Sequence, residues 1–250
     1  MDVVKQVADL VDVVLLTKNS ECVLTKCLNA LYQNVPVHQL IVVDGYSTDN
    51  TLAIIKKFQQ IYSNIKIIFD HGTRASARQK GIQEVQTEWF LFLDSDVVLC
   101  RNWYQKAIKC IAPQTGAVWG IEIWSTIKNP KMLKLFLIVT HKIAQIRGGT
   151  HDALIKTALV KDIQIPSKLH VFEDTYIKDH ITKKGYNFIT CYDPFCIHYR
   201  SNTVWTLKGS INLITESLQI GNTRLIIKLL LSYSIYTVYA VYQIFTNNRK

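Results

Sequence analysis

The chain has 250 residues, of which 48% are hydrophobic and 19% charged, and it carries a formal net charge of +10. A chain of this length can bury one sizeable core, and its composition excludes a disordered or fibrous protein. The positive charge favours a polyanionic partner, which composition leaves open between nucleic acid, a phosphorylated substrate and an anionic membrane.

Strands and helices alternate along the first half of the chain. Short apolar runs rich in β-branched residues predict buried strands at 11–16, 40–43, 65–69 and 89–93. Apolar side chains at helical spacing predict three helices between them. The first begins after Ser20, the second is capped by Ser47 or Thr48, and the third covers 75–85.

The second half is less regular. It predicts a strand at 117–123, an amphipathic helix at 131–147, a helix at 174–184 stopped by Gly185, and a late strand at 187–191. Strands that alternate with helices indicate an α/β fold, a Rossmann-like and mostly parallel sheet flanked by helices.

Polar residues follow each of the first four predicted strands. Ligands of such sheets bind beyond the carboxyl ends of the strands, so these residues are the candidates for a site. They are Thr17-Lys18-Asn19, Asp44-Gly45-Tyr46-Ser47, Asp70-His71 and Asp94-Ser95-Asp96. Three of the four segments contain an aspartate, which is the first functional signal in the sequence.

Asp94 and Asp96 flank a single residue directly after a buried strand. Two carboxylates at this spacing can diverge, one toward a metal ion and one toward a sugar hydroxyl. Mg²⁺ and Mn²⁺ bind few protein carboxylates and complete their shells with water and substrate phosphate oxygens. The pair therefore predicts a divalent metal site, although a lone D-x-D also occurs by chance in surface loops.

Four segments in order resemble family-2 glycosyltransferases of the GT-A fold. IVVDGYSTDNT at 41–51 is similar to their "VVDDGSTDNT" motif, ARQKGI at 77–82 to "ARNxGI", and FLDSD at 92–96 to "FLDADD". FED at 172–174, followed by Gly185, is similar to their "ED…G" segment. The resemblance covers residues 10 to 200 and implies transfer of a sugar from a UDP-, GDP- or dTDP-sugar to an acceptor hydroxyl.

The resemblance also implies roles for single residues. It assigns nucleotide-sugar binding to Thr17, Asn19, Asp44, Arg78 and Asp94, metal ligation to Asp96, and the catalytic base to Asp174. Thr17, Asn19 and Asp44 would serve the nucleobase, Asp94 would lie near the ribose, and Arg78 would contact the nucleotide or pair with a nearby carboxylate. Gly45 and Tyr46 stand where Asp-Gly is usual, which puts one nucleotide contact in doubt.

The implied chemistry is an inverting transfer, in which a carboxylate deprotonates the acceptor hydroxyl and the nucleoside diphosphate leaves. Glu173 is the second candidate for the base, and both acids could instead simply open a helix, where the dipole favours them. His198 is predicted to complete the metal shell or else to be packed and hydrogen-bonded. Arg200 is a further candidate contact for the diphosphate, and 147–150 (RGGT) is either a close approach to the sugar or an ordinary turn.

The last part of the chain predicts a second unit. Residues 229–245 contain no charged side chain and carry four tyrosines along one helical face, with basic residues on both sides. This pattern fits a helix in a membrane interface, a spanning helix at the lower limit of length, or a buried or dimer-forming helix. We therefore expect a catalytic domain at 1–202 and a helical, membrane-associated segment at 203–250, with a glycan or lipid-linked acceptor and an anionic membrane surface as partners.

Residues 1–10 lack the apolar stretch of a signal peptide, so the expected location is cytoplasmic, at the inner face of the membrane. The six cysteines contain no CxxC pair and are expected to be free thiols.

Two other interpretations stay open. One is a second enzyme class, a sugar nucleotidyltransferase, which is disfavoured because 16–20 lacks glycine. The other is not an enzyme but a glycosyltransferase-like module that binds a sugar nucleotide without turnover. Nucleic acid is not an expected partner, because no basic and aromatic motif supports it. The sequence leaves the oligomeric state open.

Overall fold

The computed structural model describes residues 10–131, 133–134, 137–138, 149–169 and 172–199. These residues contain an eight-stranded sheet and helices on both of its faces. The strands are β1 (Val11–Thr17), β2 (Val37–Asp44), β3 (Ile65–Phe69), β4 (Trp89–Asp94), β5 (Val97–Leu99), β6 (Thr115–Trp124), β7 (Asp152–Lys156) and β8 (Asn187–His198). The labelled helices are α1 (Glu21–Asn34), α2 (Thr51–Ile61), α3 (Arg74–Glu84), α4 (Trp103–Ile108) and α5 (Glu173–Lys183).

The first four strands form a parallel half-sheet in the order β3-β2-β1-β4. The chain winds outward from β1 to β3 and then returns to place β4 on the other side of β1. This reversal opens a crevice beyond the carboxyl ends of β1 and β4, which is where open α/β sheets bind ligands. In this register Leu16 lies beside Asp94, and Thr17 lies beside Asp44.

The second half of the sheet is mixed. Strand β7 runs antiparallel to both β4 and β6, β8 runs parallel to β6, and β5 pairs antiparallel with β8. The expectation of a mostly parallel sheet is therefore wrong for this half. Strand β7 lies between β4 and β6 and runs opposite to both, so the direction of the sheet changes there.

Apolar side chains cover both faces of the sheet. One core contains Val13 and Leu15 of β1 together with the apolar sides of α1, α2 and α4. The other contains Val14 of β1 with the apolar sides of α3 and α5. Successive residues of a strand point to opposite faces, so the consecutive apolar residues in the middle of β1 serve both cores.

Helix α3 approaches β1 closely because residue 81 is glycine. A Cβ atom at Gly81 would overlap the side chain of Val14, which is fully buried in the centre of the sheet. The glycine therefore sets the depth of α3 on the sheet, and α3 carries Arg78 into the crevice.

Most of the predicted elements in the first half are confirmed within one or a few residues. The predicted cap of α2 was wrong, because the N-cap residue is Asn50 and not Ser47 or Thr48. Strands β5 and β7 and helix α4 were not predicted. The apolar runs of β5 and β7 are only three residues long, 97–99 and 153–155, and α4 has six residues. Strand β8 continues to His198, so this histidine lies on the strand and not after it.

The predicted helix at 131–147 falls largely outside the described residues, and so do residues 200–250 with Arg200 and the hydrophobic segment at 229–245. In the part of the chain that the structure describes, no helix is both long and apolar enough to cross a membrane.

The expectation of six free thiols is wrong for two of them. Cys110 and Cys191 are joined as a disulfide, whereas Cys22, Cys27, Cys100 and Cys196 are free. The two joined cysteines are 81 residues apart, and parallel pairing of β6 with β8 brings the segments that carry them together.

Candidate functional site

The ends of β1 and β2 are joined by the carboxylate of Asp44. Its Oδ2 accepts hydrogen bonds from Thr17 Oγ1 at 2.8 Å and Ser47 Oγ at 2.7 Å, and its Oδ1 accepts from the Ser47 backbone N–H at 2.8 Å. Asp44 is fully buried. In this structure it therefore orders the two loops that would surround a nucleobase, and its direct contact with a base stays a prediction.

Asn19 links the same two loops from the other side. Its backbone N–H donates to Ser47 Oγ at 2.9 Å, and its side-chain oxygen accepts from the Thr48 N–H at 2.8 Å. Asn19 and Tyr46 both have positive φ angles, 50° and 58°, which side-chain-bearing residues adopt only when the surroundings hold them. Tyr46 is partly exposed and stacks on His71, with ring centroids 3.5 Å apart.

Arg78 connects the D-x-D segment with the start of α5. Its guanidinium donates to Asp94 Oδ1 at 3.0 Å and lies 3.5 Å from Glu173 Oε1. It also reaches the Thr150 carbonyl at 3.4 Å and lies over the ring of Phe92. The arginine side chain is only 3% exposed, so this pairing is made away from water.

Burial and charge act against each other in this cluster. Burial alone would lower the pKa of Arg78, but the carboxylates of Asp94, Glu173 and Asp174 outweigh it and raise the pKa. Burial would raise the pKa of Asp94, but Arg78 and His198 outweigh burial and lower it. Burial, with the Asp174 charge, raises the pKa of Glu173 despite the opposing Arg78. The pKa of Asp94 is therefore held low while that of its neighbour Glu173 is raised.

Asp94, Asp96 and His198 bring potential metal ligands within 4.8 Å of one another. Asp96 Oδ1 lies 3.1 Å from His198 Nε2, and the Asp96 side chain is 42% exposed. Adjacent corners of an octahedral shell with bonds of about 2.1 Å are about 3 Å apart, so this spacing suits two ligands of one ion. Two carboxylates and an imidazole fit a divalent cation that keeps open positions for phosphate oxygens.

His198 is brought to Asp96 by sheet pairing. It lies opposite Val97 of β5 and Trp124 of β6, and the Tyr199 N–H donates to the Asp96 carbonyl at 2.8 Å. The residues between Asp94 and Val97 make a tight turn, which points Asp96 toward the imidazole.

Asp174 lies in the first turn of α5 and is 8% exposed. Its Oδ1 accepts from the Thr175 N–H at 2.6 Å, so the helix start holds the carboxylate through its own backbone. The helix start predicted as one interpretation of this acid is thus present in the structure, and its catalytic role stays a prediction.

Sequence reasoning missed two groups near this site. Glu122 of β6 contacts His198, and His151, Asp152 and Cys196 form a buried cluster next to it. Trp103 donates to Asp152 at 3.0 Å, and burial raises the pKa of Asp152 well above its usual range. Glu122 is the only charged residue in the strand 115–124, and this was a usable signal. The cluster offered no such signal, because Cys196 is distant in sequence from His151 and Asp152.

The comparisons with known proteins agree with this geometry. The sequence model described as "Glycosyl transferase family 2" matches residues 12–146. An uncharacterised glycosyltransferase of Haemophilus influenzae is 30% identical over 105 residues, which is 40% of this chain and 41% of that protein. A poly(ribitol-phosphate) beta-N-acetylglucosaminyltransferase, TarS of Staphylococcus aureus strain Mu50, is 34% identical over 175 residues, 65% of this chain and 30% of that protein.

Solved structures show the same fold. The mannosyltransferase PcManGT of Pyrobaculum calidifontis, in complex with GDP-Man and Mn²⁺, superposes with a TM-score of 0.66 at 20% identity, over 84% of this chain and 63% of that one. S. aureus TarS 1–349 with UDP-GlcNAc gives a TM-score of 0.62 at 20% identity, over 84% and 66%. This chain thus spans less than two thirds of the length of each of these proteins.

Proposed function

Since this chain belongs to glycosyl transferase family 2, we propose that it transfers a sugar from a nucleoside diphosphate donor to an acceptor hydroxyl, with inversion at the anomeric carbon. The observation that carries the proposal is the convergence of Asp94, Asp96 and His198 at the crevice beyond β1 and β4. The solved relatives with GDP-Man and with UDP-GlcNAc support a nucleotide-sugar donor.

In this proposal the donor nucleotide lies over the ends of β1 and β2. Thr17 and Asn19 line the base, and Asp44 keeps their two loops together through the bonds to Thr17 and Ser47. Asp94, held ionised by Arg78, faces the ribose and the cation. Preformed loops lower the entropy that a ligand must lose to be ordered.

Asp96 and His198 would hold the divalent cation, Mn²⁺ or Mg²⁺, with Asp94 beside them. A divalent cation there stabilises the negative charge that develops on the departing diphosphate. The exposed side of Asp96 leaves room for phosphate oxygens, whereas the imidazole is buried and rigidly placed.

Asp174 is the proposed base that takes the proton from the acceptor hydroxyl as the hydroxyl oxygen attacks the anomeric carbon. Arg78 lies between Asp94 and the Glu173-Asp174 pair, so one guanidinium stabilises both the donor side and the base side of the crevice. Because Glu173 is already paired with Arg78, Asp174 is the better candidate of the two acids.

The acceptor is proposed to be a glycan or a lipid-linked sugar near an anionic membrane at its cytoplasmic face. The net charge of +10 and the uncharged, tyrosine-containing segment at 229–245 support this assignment.

A donor screen tests the proposal. UDP-, GDP- and dTDP-sugars are incubated with the full chain, with and without Mn²⁺, and both binding and release of the nucleoside diphosphate are measured. We expect one nucleotide class to bind with Mn²⁺ and to be turned over. Binding that needs neither the metal nor Asp96 would contradict the mechanism, and binding without turnover against a wide range of acceptors would indicate a binding module instead.

Asp174→Asn tests the assignment of the base. We expect transfer to fall by at least about 100-fold, the scale of general base catalysis, while donor affinity is preserved. Asp179→Asn is the matched control, because Asp179 lies on the same helix, is exposed and pairs with the exposed Lys183. Equal loss of binding and transfer in Asp174→Asn would remove this residue from the base role.

A further inference from the structure

The imidazole of His198 is held at both nitrogens. Nε2 faces Asp96 Oδ1 at 3.1 Å, and Nδ1 lies 2.7 Å from Oε2 of Glu122. Glu122 lies on β6 two residues before Trp124, the register partner of His198, so the two side chains extend from the same face of the sheet. The carboxylate of Glu122 is only 12% exposed.

The contact with Glu122 fixes Nδ1 as a donor. A carboxylate only accepts hydrogen bonds, so Nδ1 donates to Glu122 at 2.7 Å, and without a cation Nε2 likewise faces the carboxylate of Asp96 at 3.1 Å. A cation held by Asp96 and His198 would need the lone pair of Nε2, and the proton left on the ring would then be the one that Nδ1 donates to Glu122. A histidine that binds a metal through one nitrogen and donates from the other to a carboxylate is a more basic and better oriented ligand.

Packing fixes the position of Glu122 as firmly as that of His198. The β6–β8 ladder pairs Glu122 with Cys196 and Trp124 with His198, and the Ser125 N–H donates to the His198 carbonyl at 3.0 Å. The negative charge of Glu122 also contributes to raising the pKa values of Asp152 and Cys196, behind a larger contribution from burial, which places the carboxylate close to both. Glu122 is thus an acid inside the sheet and not on a solvated face.

We propose that Glu122 is a positioning residue that orients His198 and selects its metal-binding tautomer. The inference rests on the proposed function only in the assignment of Asp96 and His198 as ligands. It adds a residue that lies outside the D-x-D and E-D segments and that acts through His198.

Mn²⁺ binding tests the role without any sugar transfer. Mn²⁺ alone is titrated into the full chain, and the free ion is followed by its electron paramagnetic resonance signal. We expect Glu122→Gln to weaken Mn²⁺ binding by roughly 10- to 100-fold, the usual effect of removing a partner of a ligating histidine. Glu122→Asp, which keeps the charge but shortens the side chain, should lose less. Asp193→Asn removes an exposed carboxylate from the same strand as His198 and should leave the affinity unchanged.

A double-mutant cycle separates orientation from simple charge. If Glu122 acts through His198, Glu122→Gln has no further effect on Mn²⁺ affinity in the His198→Ala background. An equal loss in both backgrounds would show a through-space charge effect and overturn the inference, as would unchanged affinity of Glu122→Gln in the otherwise native chain. Far-UV circular dichroism and thermal unfolding establish that the variants compared are folded.

The outcome is independent of the donor screen. A chain that binds Mn²⁺ through the coupled pair but turns over no sugar nucleotide would retain the inference and reject the proposed function. A chain that transfers sugar but shows no coupling between Glu122 and His198 would retain the proposed function and reject the inference.

Discussion

Arg78 holds more of the site together than any other single side chain among the described residues. It is buried and contacts Asp94 on β4, the Thr150 carbonyl and Glu173 on α5, so three separate segments meet on one guanidinium. The planar fork of arginine suits this role, because its donors point in fixed directions toward several acceptors. The resemblance to the family allowed either a nucleotide contact or a carboxylate partner for this residue, and the second is what the structure has.

Removal of Arg78 should therefore destabilise the fold as well as the site. We expect Arg78→Met to lower the free energy of unfolding by about 3–5 kcal/mol, because it leaves the buried carboxylate of Glu173 and the partly buried carboxylate of Asp94 without their counter-charge. Lys66→Met breaks an exposed pair with Glu84 and should cost about 1 kcal/mol or less. Urea unfolding of both variants measures the difference; similar losses would show that the Arg78 pairs contribute no more than surface pairs.

Asp162 provides a pH-dependent contact at the other end of α5. Its carboxylate pairs with Lys184 at 2.5 Å and with His180 at 3.2 Å, and the hydrogen bond from Lys184, with that from His180, lowers its pKa to about 2. A carboxyl group whose pKa is lower in the folded state stabilises the protein above its unfolded pKa of about 3.9, and this contribution is lost as the pH falls from about 4 to about 2.

We accordingly expect the stability difference between the native chain and Asp162→Asn to be constant near neutral pH and to shrink between about pH 4 and pH 2. Urea unfolding at a series of pH values measures it. A difference that stays constant through this range would mean that the ion pair does not form in solution.

At the scale of elements, the depth of α3 on the sheet decides where Arg78 lies. Gly81 allows this approach, since any Cβ would overlap Val14 of β1. Gly81→Ala would gain about 1 kcal/mol of helix propensity but would overpack a core that is filled on both sides, which costs about 1–3 kcal/mol. The overlap is with Val14, a fully buried strand residue that has little room to move, so the cost of overpacking should exceed the gain in helix propensity.

We expect Gly81→Ala to be net destabilising by about 1–2 kcal/mol. Adding Val14→Ala makes room for the new methyl group, so the double variant should be more stable than the sum of the two single effects. Gln83→Ala, at an exposed position of the same helix, should change stability by no more than about 0.5 kcal/mol. Strict additivity of the Gly81 and Val14 variants would contradict the close packing of α3 on β1.

At the scale of the whole molecule, the prediction concerns the segment at 203–250, which lies outside the described residues. Its uncharged stretch with basic flanks predicts binding to anionic membranes through apolar burial and charge together. We expect the full chain to sediment with vesicles that contain phosphatidylglycerol and a chain ending at residue 202 to stay in solution.

The control for this experiment neutralises the flanks alone, with Arg224, Lys228, Arg249 and Lys250 replaced by glutamine. Its binding should be weaker and less sensitive to salt, because electrostatic attraction to the surface is screened by ions. Undiminished sedimentation after the truncation would reject the assignment of this segment.

The sequence by itself determined the family, the parallel half of the sheet and the positions of the candidate carboxylates. The hydrophobic patterns of strands and helices, with periods of 2 and 3.6 residues, depend only on neighbouring residues in the sequence. An apolar run that predicts a strand also places the acid that directly follows it at the end of that strand, as for Asp44 and Asp94. Helix α5 was also predicted from its local sequence, and Gly185, which has a φ of +82°, follows its end as predicted.

Only the tertiary structure decided the mixed half of the sheet, the partners of Arg78 and the contact between Glu122 and His198. Strands β5 and β7 each contain an apolar run of only three residues, and their direction depends on which neighbours they pair with. Glu122 and His198 are separated by 76 residues, and nothing local in either segment encodes their approach. Long-range pairing of β6 with β8 brings them together, because the sheet ladder fixes the register of both strands at once.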